Sequence, residues 1–266
     1  MTMSVLRTQY QCVSALLVSA VLLCGCATSG STTIGLTSMD ASRKPVQLEI
    51  NVYRPLIDPP YPVVRDMHGC SGIVASRKRL WIERMQSWGY VLIKADSFSP
   101  RGDGNICDDT LKISPFERLA DIESILSYIL ASNEFDHDNI FLMGMSHGGT
   151  TALLTHHYPR PLFRRLGGVI AFYPYCYPNR IPSLLSDTLI LIGERDDWTP
   201  ADYCKQMVIT KANDYNLDIV VYPDAYHSFD VPSANGTYYG HTLRFDKDAA
   251  MDSGLRVKAF LSKHRR

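Results

Sequence analysis

An excess of charge of either sign is missing from this chain: 27 lysines and arginines balance 27 aspartates and glutamates over 266 residues. With no net charge and no long basic run, the electrostatic footprint of a nucleic-acid binder is absent, and a neutral or weakly charged small substrate is compatible. No apolar run reaches the roughly 20 residues needed to span a bilayer. No C-x-x-C pair occurs among the seven cysteines, which argues against a structural zinc site. Nor is there an internal repeat, a coiled-coil heptad or a second linker, so a single folded domain is expected. The remaining composition, 45% hydrophobic and 20% charged, suits one α/β domain with a substantial core.

What is present begins with an export signal over residues 1–26. Arg7 precedes an apolar stretch from Val13 to Leu23, a length that suits a secretory h-region. Leu23-Cys24-Gly25-Cys26 is similar to a bacterial lipobox, with Cys24 as a departure at a position that usually holds a small aliphatic or hydroxyl residue. Lipidation of Cys26, with a membrane tether, is one expectation, and ordinary cleavage near Ala27 is the other. Both place the mature chain outside a bacterial cytoplasm, in the periplasm. Cys70, Cys107, Cys176 and Cys204 then sit in an oxidising compartment, where three pairings are open to them. Residues 27–45, rich in Ser, Thr and Gly, read as a flexible tether, and 46–266 as the domain.

Within that domain, strand and helix signals alternate. "VQLEINVY" from Val46 has period-two patterning, while "YPVVRDMH", "YVLIKADSF", "NIFLMGMS", "GGVIAFYP", "TLILIGE" and "LDIVVYP" are apolar runs suited to strands covered on both faces. An amphipathic stretch at 76–88 offers Leu80, Ile82 and Met85 to a core. Ser114-Pro115-Phe116-Glu117 reads as a capping box opening a helix that buries Phe116, Leu119, Ile122, Leu126 and Ile129 or Leu130. The expected architecture is a doubly wound, mostly parallel α/β sheet, whose functional groups collect beyond the carboxyl ends of its strands.

One such end carries "GMSHGG". A G-x-S-x-G pattern arises by chance about 0.1 times in a chain of this length, so the pattern alone does not establish a nucleophile. Its context adds to it: Ser146 follows an apolar strand and precedes a helix, with Gly144 and Gly148 leaving room for a sharp turn. A serine needs a base and the base an orienting acid. "LILIGERDDWTP" offers Asp196, with Asp197 as the fallback, and "IVVYPDAYHSFD" offers His227. "MHGCSGI" supplies a glycine-containing loop after an early strand, so the main-chain amides of Cys70 and His147 are the expected oxyanion donors. A nucleophilic role for the Cys70 thiol is the competing reading.

Taken together, "HGCSG", "DSFSPRG", "GMSHGG", "GERDDWTP" and "YPDAYHSFD" resemble the dienelactone hydrolase family of α/β-hydrolases. The resemblance implies a hydrolase without metal or organic cofactor. Well-known members use a cysteine where this chain has Ser146, which implies serine esterase chemistry. Members also hold a substrate carboxylate with an arginine four residues after the catalytic histidine, where this chain has Val231. Arg101 roughly matches a second substrate-binding arginine, its loop displaced by one residue, with a structural ion pair as the alternative. Tyr173, Tyr175, Trp198, Tyr226 and Phe229 are candidates for an apolar substrate pocket or for core. The expected substrate is a small ester or lactone; a polyester, an amide or an acylated envelope glycan, and a non-catalytic binding protein, are the competing readings.

Overall fold

The computed structural model describes residues 30–177, 183–207 and 214–266. The export signal, including Cys26, lies outside the described residues. Eight strands of the described chain form one sheet: β1 (Ser31–Met39), β2 (Pro45–Tyr53), β3 (Tyr61–Met67), β4 (Val91–Ala95), β5 (Phe135–Met145), β6 (Gly168–Phe172), β7 (Asp187–Gly193) and β8 (Leu217–Tyr222). Their order is β1-β2-β4-β3-β5-β6-β7-β8. β1, β2 and β4 pair antiparallel, and every pairing from β4 through β8 is parallel. Val64, Ile93, Leu142, Ile170 and Ile190 are fully buried in the central strands, each stabilising the fold by about 1.5–3 kcal/mol relative to exposure.

Five helices cover the described sheet: α1 (Ala75–Ser87), α2 (Leu119–Leu130), α3 (His147–His157), α4 (Ala201–Lys205) and α5 (Lys247–His264). α3 is buried along nearly its whole length although rich in threonine. Its hydroxyls are consumed internally, Thr151 Oγ1 donating to the His147 carbonyl at 2.9 Å and Thr150 Oγ1 to that of Ser146 at 3.2 Å. That satisfaction is what lets a polar helix lie against the sheet.

Two expectations need correcting. Within the stretch expected as a tether, Ser31–Met39 is the edge strand β1, paired with β2 along its full length. Ile34, Leu36 and Ser38 alternate toward the protein, with the Ser38 hydroxyl donating to buried Asp121 at 2.5 Å. The Ser/Thr/Gly composition masked a period-two strand, in which threonine is favourable. The capping box is also only half made. Ser114 Oγ accepts from the Glu117 amide at 3.3 Å, but the Glu117 carboxylate is taken by Arg101 at 3.0 Å. Residues 115–118 form turns, α2 starts at Leu119, and Phe116 is exposed, edge-on to Tyr158.

Disulfides Cys70–Cys107 and Cys176–Cys204 settle which of the three pairings forms. The first ties the loop after β3 to the loop before α2. Replacing Cys70 and Cys107 together by serine keeps every main-chain amide but frees a 37-residue loop in the unfolded chain, so stability should fall by about 3–4 kcal/mol. A urea unfolding midpoint unchanged in the double variant would contradict this.

Candidate active site

At the end of β5 the chain turns sharply into α3. Ser146 has φ +51° and ψ −117°, a conformation that costs a non-glycine residue about 1–3 kcal/mol. The turn is held by the Ser146 amide donating to the Phe172 carbonyl at 2.9 Å and the Thr150 amide donating to the Ser146 carbonyl at 2.8 Å. It is tight enough that a Cβ on Gly144 would collide with the Gly148 carbonyl, and one on Gly148 with the Met67 and His68 carbonyls. The glycines thus seat the start of α3 directly against the loop after β3.

The loops after β7 and β8 supply the partners. His227 Nε2 lies 3.0 Å from Ser146 Oγ, and His227 Nδ1 lies 2.8 Å from Asp196 Oδ2. A carboxylate accepts, so Nδ1 carries the proton and Nε2 is free to accept from the serine. His227 and Asp196 are both buried. Asp196 Oδ1 accepts from the amides of Trp198 at 2.9 Å and Thr199 at 2.8 Å, and Thr199 Oγ1 lies 2.9 Å from Oδ2. Each carboxylate oxygen is therefore fixed. The imidazole packs between Tyr173 and Trp198, with ring centroids 4.7 and 5.1 Å away.

Asp197, the fallback acid, points elsewhere. It accepts from the Thr242 amide at 3.0 Å and the Thr242 hydroxyl at 2.9 Å. It thereby docks the hairpin of β9 (Asn235–Tyr238) and β10 (His241–Arg244) beside the site.

A cavity of about 390 Å³ opens at Ser146, a size suited to a small-molecule ligand. Cys70 and His147 lie on its wall next to the serine, alongside Thr110, Thr150 and Thr199. Tyr175, Tyr177 and Trp198 form its aromatic side, and Leu111 and Pro115 complete it. Leu111 is 72% exposed and marks the mouth. Among the described wall residues no group besides His147 ionises near neutral pH, and burial followed by the charge of Arg118 pushes His147 down to about 3, so it stays neutral.

Other expected pocket residues are placed differently. Arg101 does not reach the cavity: it donates to Glu117 at 3.0 Å, Asp121 at 2.8 Å and the carbonyls of Ser97 and Met39. The ion-pair alternative is the one observed. Tyr173 lies beneath His227, its hydroxyl donating to Asp230 at 2.7 Å. Phe229 is core, and Tyr226 sits under the Arg244 guanidinium away from the cavity wall. Cys70 is in a disulfide and has no free thiol. Val231 is buried and apolar. Sequence reasoning missed Thr199 and Tyr177; the D-x-x-T spacing from Asp196, an Asx-turn signature, could have signalled the first.

Among the described residues, no group of three or more His, Cys, Asp or Glu side chains is placed to hold a metal ion. The family model described as "Dienelactone hydrolase family" matches residues 50–265. A putative dienelactone hydrolase from Klebsiella pneumoniae is similar at TM-score 0.66 and 19% identity, over 88% of this chain and 99% of that one. A hyperthermophilic esterase from Pyrobaculum calidifontis is similar at TM-score 0.60 and 13% identity, over 87% of this chain and 85% of that one. An acylaminoacyl peptidase from Pyrococcus horikoshii is similar at TM-score 0.64 and 16% identity, over 89% of this chain but 42% of the larger one. At these identities the likeness is one of fold, the α/β-hydrolase fold. Comparison with curated protein sequences finds no matching relative.

Proposed function

The chain belongs to the dienelactone hydrolase family, and from that premise we propose that it is an exported serine hydrolase that cleaves uncharged carboxylic esters or lactones through an acyl-enzyme. The observation that carries this reading is the hydrogen-bonded line from Ser146 through His227 to Asp196, at an elbow with φ +51°. His227 takes the Ser146 proton as Oγ attacks the carbonyl. Asp196 holds the imidazole and stabilises its charged form, and the amides of Cys70 and His147 receive the oxyanion. The alcohol leaves with the proton from His227, and water activated by the same imidazole then releases the acid. Two disulfides fit an oxidising compartment and so support export.

The cavity wall supports an uncharged substrate. Among the described residues it offers hydroxyls, aromatic rings and Leu111 but no cation to hold a carboxylate, and burying an unpaired charge is costly. The test has two readouts. A fluorophosphonate probe should label the folded wild-type chain covalently, and no labelling would sink the serine-hydrolase reading. Neutral p-nitrophenyl acyl esters should then be favoured in kcat/KM by about tenfold or more over the same esters carrying a terminal carboxylate. Preference for the carboxylated series would overturn the charge assignment alone.

A further inference from the structure

Among the buried cations that the mechanism above leaves unused, Arg118 lies beside the proposed oxyanion hole. Arg118, just ahead of α2, is fully buried. Its Nη1 donates to the His68 carbonyl at 3.0 Å and to His147 Nδ1 at 2.8 Å. Its guanidinium lies over Phe98, 5.0 Å from the ring centroid. Nε and Nη2 find no acceptor among the described residues. Burial outweighs nearby Asp121 and lowers Arg118 to about 9, so it remains charged at neutral pH. Removing such a cation from water is costly, and an apolar side chain of similar volume would avoid that cost. The position is therefore explained by what Nη1 holds.

Its two acceptors belong to opposite sides of the catalytic serine. The His68 carbonyl begins the Gly69-Cys70 segment, and a Cβ on Gly69 would stand 3.4 Å from Ser146 Cβ. His147 directly follows Ser146. Because a guanidinium only donates, His147 Nδ1 is an acceptor and its proton sits on Nε2, which donates to the Thr110 carbonyl at 3.1 Å. Phe98 fills the space between, its ring 4.5 Å from that of His68 and 5.9 Å from that of His147.

We propose that Arg118 is a positioning residue that bridges the two lips of the oxyanion hole, setting the separation of the Cys70 and His147 amides. The proposal rests on the serine-hydrolase reading above. Misplacing a catalytic group by about 1 Å can cost about 100-fold, and losing one oxyanion donor about 100- to 1000-fold.

The test uses the full chain with Arg118→Met and Arg118→Lys, titrated with a fluorophosphonate so that kcat is counted per competent serine. Arg118→Met should lower kcat about 100-fold with KM within about threefold of wild type. Inhibition by a trifluoromethyl ketone, whose adduct carries an oxyanion, should weaken in parallel. Arg118→Lys, which keeps charge and a donor, should recover about tenfold of that loss. A purely structural role would lower the melting temperature and the titratable fraction but leave per-site kcat and ketone affinity at wild-type values, and that result overturns the proposal. Should Arg118→Met fail to fold, the lysine variant decides alone: about tenfold lower kcat with matching loss of ketone affinity supports the bridge, and wild-type values refute it. Failure of the wild type to be labelled is a different outcome, which removes the serine-hydrolase reading itself.

Discussion

Ser146→Ala should lower kcat on a p-nitrophenyl ester by about 10⁵- to 10⁶-fold while leaving the folded chain intact. Removing Oγ deletes the group that faces His227 Nε2, 3.0 Å away. Neighbouring groups cannot substitute for it. The sulfur of Cys70 is in a disulfide, and the Thr199 hydroxyl already donates to the Tyr173 carbonyl at 3.0 Å. Alanine inherits the same left-handed backbone, so the strain at this turn neither rises nor is relieved, and thermal unfolding should match wild type within a few degrees. Some rate above that of water should survive, because substrate binding and the oxyanion donors remain. Ester hydrolysis measured beside circular dichroism checks both halves; turnover within about tenfold of wild type would place the nucleophile elsewhere.

Asp196→Asn should cost about 10⁴-fold in kcat, for a reason of tautomer rather than of space. The carbonyl oxygen of the introduced amide would keep the hydrogen bonds now donated to Asp196 by Trp198 and Thr199 at 2.9 and 2.8 Å. The NH₂ of that amide would then face His227 Nδ1, which must accept, and the imidazole proton moves to Nε2. An Nε2–H cannot take the Ser146 proton. Asp197→Asn is the control on the adjacent position: it weakens the docking of Thr242 and should change kcat by less than about tenfold. Comparable losses in the two variants would mean that the acid has been misassigned.

Much of this site could be read in one dimension because its parts are local. Ser146 was legible as a strand followed by G-x-S-x-G and a helix, and Asp196 and His227 because each closely follows an apolar strand. The pocket was less legible. Tyr173 and Tyr175 are two residues apart, yet the first lies buried under His227 and the second lines the cavity. Spacing could not separate them, because Tyr173 takes a left-handed backbone, φ +35°, that breaks the strand's alternation. Arg101 fitted either of two roles until Glu117 and Asp121 were seen beside it.

The sequence by itself determined the fold class, the run of parallel strands and the three residues of the proposed catalytic line, because strand periodicity and turn chemistry are properties of short segments. Tertiary structure decided which cysteines pair, that Ser31–Met39 is an edge strand rather than a tether, and that Arg101 is an internal ion pair. It also brought Arg118 to His68 and His147, residues 50 and 29 positions away. Such partners are set by which loops converge at one end of the sheet, and no local pattern encodes that convergence.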